Sequence, residues 1–253
     1  MASLLYVAKC SAGSALRADR GSSSEAELRR AHARPIHSTI IVDESCQSRT
    51  VLYDLSGSAG ADPESPPADI IRSSAVLFVD HYGMEGMIRA ARIALADSIP
   101  VVADFERNDW PGFHQLLELV DHLIVSRAFA CRITGEHEPA AAIDRLWTHG
   151  RQAVVITGGD QGCWYRERPE PEHVCHQPAF PVAVVDTTGC GDVFHGAYAS
   201  ALARGLNLEE RIRFASAAAA LKATRSGGQS GIPTRAAVEA FLDRQQCLPE
   251  YGE

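Results

Sequence analysis

The stretch Val182-Ala183-Val184-Val185-Asp186-Thr187-Thr188-Gly189-Cys190-Gly191-Asp192-Val193-Phe194-His195-Gly196-Ala197 decides how this chain is read. An apolar run predicts a strand over Val182–Asp186, two glycines predict a tight turn, and small residues predict a long helix over Asp192–Arg204. Glycines at 189 and 191 leave the backbone amides of Gly189, Cys190 and Gly191 uncovered. At the positive end of a helix dipole, such amides suit an anion, for example a phosphoryl group in transfer. Asp192, in the same turn, is placed to take a proton from a hydroxyl nucleophile beside that anion. The same residues also read as a plain strand-to-helix turn capped by Asp192. Two other phosphate motifs are excluded. Phe194 stands where a dinucleotide fingerprint needs its third glycine, and no Gly-x-x-x-x-Gly-Lys-Ser/Thr occurs.

Working outward, unbroken apolar runs alternate with helical segments. Strands are predicted at Ala75–Asp80 (AVLFVD), Pro100–Asp104 (PVVAD), His122–Ser126 (HLIVS) and Ala153–Thr157 (AVVIT). Helices are expected over Gly83–Asp97, Phe113–Val120, Ala128–Thr134 and Pro139–His149, then Leu208–Arg225 and Thr234–Gln245. Runs this apolar belong to a parallel sheet covered on both faces, so the fold class is α/β with a doubly wound parallel sheet. Ser38–Asp43 (STIIVD) and Arg49–Asp54 (RTVLYD) read as a small β hairpin, Ser56–Asp69 as a loop, and Gly162–Arg168 with His173–His176 as an antiparallel pair.

In such sheets ligands bind beyond the carboxyl ends of the strands. Thr157-Gly158-Gly159-Asp160-Gln161-Gly162 offers a hydroxyl and open amides there, though an ordinary turn has the same look. Near the C-terminus, the Ala-rich run 217–220 precedes Ser226-Gly227-Gly228-Gln229-Ser230-Gly231-Ile232-Pro233, which lets a flat ring approach closely or simply ends a close-packed helix. Asp80 and Asp104 end parallel strands, and Asp104 is the better candidate for a substrate-side role. His81 and His195 lie next to strand ends, where each fits a substrate contact or a structural hydrogen bond equally. His173-Val174-Cys175-His176 could suggest a metal site, but adjacent residues on a strand point to opposite faces and no second ligand pair occurs at zinc spacing.

Composition bounds the function. The 253 residues carry 24 basic and 32 acidic side chains, a net charge of −8, and 45% hydrophobic residues. No basic surplus is present to neutralise nucleic acid. The longest apolar stretches break within about ten residues, short of a membrane span. Seven cysteines without a C-x-x-C pair read as reduced thiols of a cytoplasmic protein. Residues 1–37 differ from the rest: they are rich in Ala, Ser and Arg, and only Leu4–Ala8 looks like a strand. A transit peptide has that composition, but Glu25 and Glu27 argue against it.

Taken together and in order, VDTTGCGD at 185–192, AAAALKAT at 217–224 and Gly231-Ile232-Pro233 resemble the C-terminal signature of the ribokinase, or PfkB-type carbohydrate kinase, family. The hairpin resembles that family's lid, and His122–Gly135 its central segment. The resemblance covers roughly 38–245, with 1–37 an atypical front and 246–253 a tail. It implies an ATP-dependent kinase acting on a hydroxyl of a sugar or sugar-like molecule, with Asp192 as base and the Gly189, Cys190 and Gly191 amides as anion hole. Thr157, Gly159 and Gly162 would line the ATP phosphates and ribose, and Ser216, Gly227 and Gly228 would face adenine. Asp186 and Thr188 would sit where many members hold a monovalent cation such as K+, and Mg2+ would accompany ATP. A homodimer through the lid hairpin is also implied.

The sequence departs from the family pattern at several points. Cys190 replaces the usual alanine, and Gly231 stands where some members have a serine near the cation. The Asn-x-x-Glu element that organises magnesium aligns with Ser126-Arg127-Ala128-Phe129, without its carboxylate. The first strands and the sugar-gripping Gly-Gly pair have no counterpart, since the Gly-Gly pairs at 158–159 and 227–228 are already placed. These departures leave two alternatives open: a silent member that binds nucleotide or scaffolds, and a kinase of nucleosides.

Overall fold

Four apolar runs pair side by side in the order in which they occur in the chain. The computed structural model describes residues 6–8, 37–43, 48–54, 60–168 and 173–246. Strands β4 (Val76–Val79), β5 (Val101–Asp104), β6 (His122–Ser126) and β7 (Ala153–Thr157) are parallel neighbours. Beyond β7 the sheet continues antiparallel through β8 (Cys163–Glu167) and β9 (Cys175–Gln177). On the other side β1 (Tyr6–Ala8) pairs antiparallel with β4, making a sheet of seven strands among the described residues. Of the strand-like piece anticipated at Leu4–Ala8, Tyr6–Ala8 has a partner, in the register Val7↔Leu77, while Leu4 and Leu5 lie outside the described residues.

Sequential parallel strands joined by right-handed crossovers put their connecting helices on one face. Accordingly α2 (Met84–Ala96), α3 (Phe113–Glu118), α4 (Arg127–Thr134) and α5 (Pro139–Leu146) pack on a core with Leu77, Val79, Val101, Ala103, Leu123 and Val154. Side chains one position along each strand point the opposite way. Val76, Val102, Ile124 and Val155 meet α6 (Cys190–Ala203), α7 (Leu208–Ala223) and α8 (Arg235–Gln246) on the second face. α7 opens with a full capping box, Asn207 accepting from the Glu210 amide while Glu210 accepts from that of Asn207. Both faces are covered by helices, as the strand composition requires.

The hairpin forms as read, β2 (His37–Asp43) against β3 (Ser48–Asp54) in the register Ile40↔Val51, as a separate two-stranded sheet. At residue 60 the chain is wedged against the start of α2. A Cβ on Gly60 would lie 2.1 Å from the Gly83 nitrogen, one on Gly83 2.0 Å from the Ala61 nitrogen, and one on Gly86 2.6 Å from the Ala61 carbonyl carbon. No methyl group fits at any of the three.

Two expectations are corrected. The loop assigned to 56–69, of which 56–59 lie outside the described residues, gives way at Ala68 to a short helix, α1 (Ala68–Arg72), which buries Ile71. Val182–Asp186 is not a strand. The amides of Val185 and Asp186 both donate to the Ala223 carbonyl, at 2.8 and 3.1 Å, so the run is spent on the end of α7. Val184 and Val185 stay 62% and 64% exposed. Among the described residues no helix is long and apolar enough to cross a membrane.

Candidate active site

The turn before α6 is set by its glycines. Gly189 is the N-cap residue with φ +77°, a conformation that costs a residue with a Cβ. It is also approached by the Gly228 carbonyl oxygen, 3.3 Å from where a Cβ would stand. The turn 187–189 therefore packs directly on the 227–228 loop. Asp192 falls in the exposed first turn of α6, with one carboxylate oxygen 3.7 Å from that same Gly189 position. Gly191, in the same turn, has no intrahelical acceptor for its amide. Cys190 differs from expectation: its N–H donates to the Thr187 carbonyl at 3.1 Å, which closes the turn. The Cys190 amide thus holds the shape of the turn.

Behind the turn, Asp186 organises the backbone. One oxygen accepts from the Thr188 amide and the other from the Gly227 amide, each at 2.8 Å. The Thr188 and Gly227 hydrogen bonds, with a smaller contribution from the charge on Lys222, hold the Asp186 carboxyl down to about 2. Lys222, fully buried on α7, donates to the Asp186 carbonyl at 2.8 Å and to that of Arg225 at 3.4 Å. Its Nζ lies 3.9 Å from Asp186 Oδ2. Sequence reasoning passed over Lys222, because one charge in an alanine run reads as a solvent-facing residue.

One turn into α6, His195 lies beneath Asp192, only 4% exposed. Its Nδ1 is 2.8 Å from the Gly191 carbonyl, and its Nε2 is 3.1 Å from that of Ile124 and 3.5 Å from Asp104 Oδ1. Both ring nitrogens thus face acceptors, an arrangement that the doubly protonated ring satisfies and a neutral ring does not. Burial alone would lower its pKa, but Asp104 and the two carbonyls outweigh burial and hold it above the ordinary histidine range. Burial raises Asp104 in turn, with the imidazolium pulling against it. Asp104 is therefore a partner of His195, and its side chain is 21% exposed.

The second strand end forms a compact 3-10 turn, Gly159–Gln161, closed by the Gly158 amide on the Gly162 carbonyl at 2.7 Å. The Thr157 hydroxyl reaches the Val125 carbonyl at 3.4 Å, so Thr157 and Ser126 stand at adjacent strand ends. Ser216 is 9% exposed, and its hydroxyl faces the Cys163 thiol at 4.0 Å. It lies inside the core, where the small residues of α7 pack closely. His81 is buried at the end of β4 with no hydrogen-bond partner for either ring nitrogen among the described residues. Burial first, then the charge of Arg107, pulls its pKa down to about 4. The Ser126 hydroxyl accepts from the Phe129 amide, so the 126–129 segment caps α4 and brings no carboxylate. Among the described residues no three of His, Cys, Asp and Glu cluster closely enough to hold a metal ion.

Comparisons with known proteins bear on the family and the fold. A profile of the pfkB family carbohydrate kinases matches residues 24–235. Ribokinase from Bacillus subtilis is 46% identical over 196 residues, covering 72% of this chain and 62% of that protein. Ribokinase from Haemophilus influenzae is 31% identical over 184 residues, covering 70% and 58%. The chain thus spans about three fifths of the length of these curated relatives. Among solved structures, Arabidopsis thaliana ribokinase complexed with ribose and ATP superposes with a TM-score of 0.70 at 26% identity, covering 82% of this chain and 69% of that one. Ribokinase from Thermotoga maritima gives 0.70 at 28% identity, covering 83% and 70%.

Proposed function

The chain belongs to the pfkB family of carbohydrate kinases, and from that premise we propose that it moves the terminal phosphoryl group of ATP onto a hydroxyl of a sugar or sugar-like alcohol. The observation that carries this reading is an exposed carboxylate, Asp192, in the first turn of a helix whose entry turn is fixed by Gly189. Asp192 takes the proton of the acceptor hydroxyl as that oxygen attacks the terminal phosphorus. The bond between that phosphorus and the bridging oxygen breaks, and ADP leaves with the electron pair. Amides of the first turn, chiefly Gly191, and the positive end of α6 stabilise the charge on the transferring group.

Thr157, Gly159 and Gly162 line the phosphate side of ATP, and the Gly227–Gly228 loop, pinned by Asp186, lies along the base. Mg2+ carried in by ATP would offset phosphate charge. Residues 126–129 do not fit direct metal ligation, so no step is assigned to them. His81 has no hydrogen-bond partner for either ring nitrogen among the described residues, but both nitrogens are buried, so no acceptor contact is assigned to it. The hairpin's edges pair with no other described strand, which supports a homodimer formed through it.

The test is ADP release from ATP and Mg2+ across pentoses, hexoses, ketoses and nucleosides. One acceptor should support turnover, and Asp192→Asn should lower kcat about 10²–10⁴-fold, the usual range for losing a general base. Turnover unchanged in Asp192→Asn would remove the assigned role. Nucleotide binding without any phosphorylated product would identify a silent member of the family.

A further inference from the structure

The chain has 22 arginines but only two lysines, Lys9 and Lys222. The second of these is fully buried. It sits where the turn preceding α6, the end of α7 and the 225–228 segment converge. An ammonium is a compact point charge with three donors, whereas a guanidinium is a wide planar fork. The surroundings match the compact ion. The Asp186 and Arg225 carbonyl oxygens lie 2.8 and 3.4 Å from Nζ, with Asp186 Oδ2 at 3.9 Å. Carbonyl and carboxylate oxygens gathered round one point are also what a hard monovalent metal ion requires.

We propose that the ammonium of Lys222 is the resident cation behind the anion-binding turn, held in the chain itself, so that this protein takes no K+ at that position. The proposal rests on the phosphoryl-transfer reading only for the purpose of the charge; the geometry stands without it. Residues 186 and 188 do not fit a metal ion as long as Lys222 stays, since a second cation among the same oxygens would lie near hydrogen-bond distance from Nζ and be repelled. Gly231 agrees with this arrangement. It has no side chain to offer an ion, and a Cβ there would press to 3.2 Å from the Lys222 carbonyl oxygen. The fixed charge serves two ends: it keeps the Asp186 carbonyl and carboxylate in place, and through Asp186 it holds Thr188 and Gly227 around the turn.

The experiment uses the full chain and two independent readouts. Thermal melting is followed in buffers where K+ is replaced stepwise by tetramethylammonium at constant ionic strength, for the native chain, Lys222→Ala and Lys222→Met. The native Tm should not change with the cation. Lys222→Ala should melt roughly 5–10 °C lower in tetramethylammonium, and K+, Rb+ or NH4+ should restore at least half of the loss in a saturable manner. Lys222→Met, whose side chain fills the cavity without charge, should be lowered and not restored. A saturable rise of the native Tm with K+ would overturn the proposal, as would a Lys222→Ala chain equally indifferent to every cation. Should both variants fail to fold, thallium-205 NMR of the native chain decides: no bound signal is expected, and a bound ion that K+ displaces refutes the assignment. ADP release in the same salts is expected to be equal in K+ and tetramethylammonium. A chain with no turnover in either salt loses the kinase reading, while melting still decides the cation.

Discussion

Replacing His195 by Phe tests whether the first turn of α6 is braced from below by a buried ion pair. The ring volume is nearly kept, so little cavity is created, and the change removes both N–H donors. Asp104 then loses its counter-ion at 3.5 Å, and the Ile124 carbonyl loses its donor at 3.1 Å. The Gly191 carbonyl suffers less, since a helical oxygen at that position also has the backbone donor four residues on. Breaking one side of a buried pair costs about 3–5 kcal/mol, and His195→Phe should fall in that range. Asp104→Asn keeps the shape and one acceptor, and should cost about 1–2 kcal/mol. If the two residues act as a pair, the double variant should fall short of the sum by more than about 1 kcal/mol. Urea denaturation of the four chains, with slopes compared to confirm a common transition, measures each quantity. The histidine's folded pKa is raised, so its contribution is complete below the unfolded value near 6.5 and is lost as pH rises through the folded one. The coupling should accordingly be larger at pH 6 than at pH 9.5. Additivity within about 0.5 kcal/mol at both pH values would refute the ion-pair argument.

His122 should act in the opposite direction. Burial, helped by Arg211, lowers it to about 3, so below pH 6.5 the unfolded chain gains a proton that the native state refuses. Stability should then drop by about 1.4 kcal/mol per pH unit from this residue alone. His122→Asn should flatten the urea midpoint between pH 6.5 and 5, and an unchanged slope would disprove the assignment. Gly189→Ala puts a Cβ at φ +77° and against the Gly228 carbonyl. A loss of about 1–2 kcal/mol is expected, and a melting temperature within a degree of the native value would show that the turn relaxes freely.

Much of the fold was legible because of what burial does to strands. AVLFVD, PVVAD, HLIVS and AVVIT are apolar throughout since both faces of β4–β7 are covered, and no polar alternation blurs them. Val182–Asp186 has the same composition and misled for that reason: periodicity registers apolar residues, not whether a partner strand exists. There the amides go to Ala223, a pairing across 38 positions of sequence that no local pattern encodes. The turn entering α6 was legible because Gly189 takes a positive φ there, a conformation for which glycine is the usual residue. The roles of His195, Ser216 and Lys222 were not, because each depends on which way a side chain faces once α6 and α7 pack against the sheet. Lysine scarcity in an arginine-rich chain was the signal that would have singled out Lys222.

The wedge of Gly60, Gly83 and Gly86 has a consequence for how this protein can change over evolutionary time. Each of the three positions excludes even a methyl group because of main-chain atoms, which cannot move aside as a flexible side chain can. No single substitution elsewhere opens the space, so the three behave as one locked character rather than as independent sites. A saturation library scored for folded protein should therefore show three intolerant positions clustered at the start of α2, and no second-site suppressor within a side chain's reach. Drift near the start of α2 is channelled around that point, and replacements elsewhere on α2 should be tolerated far better than any within the wedge.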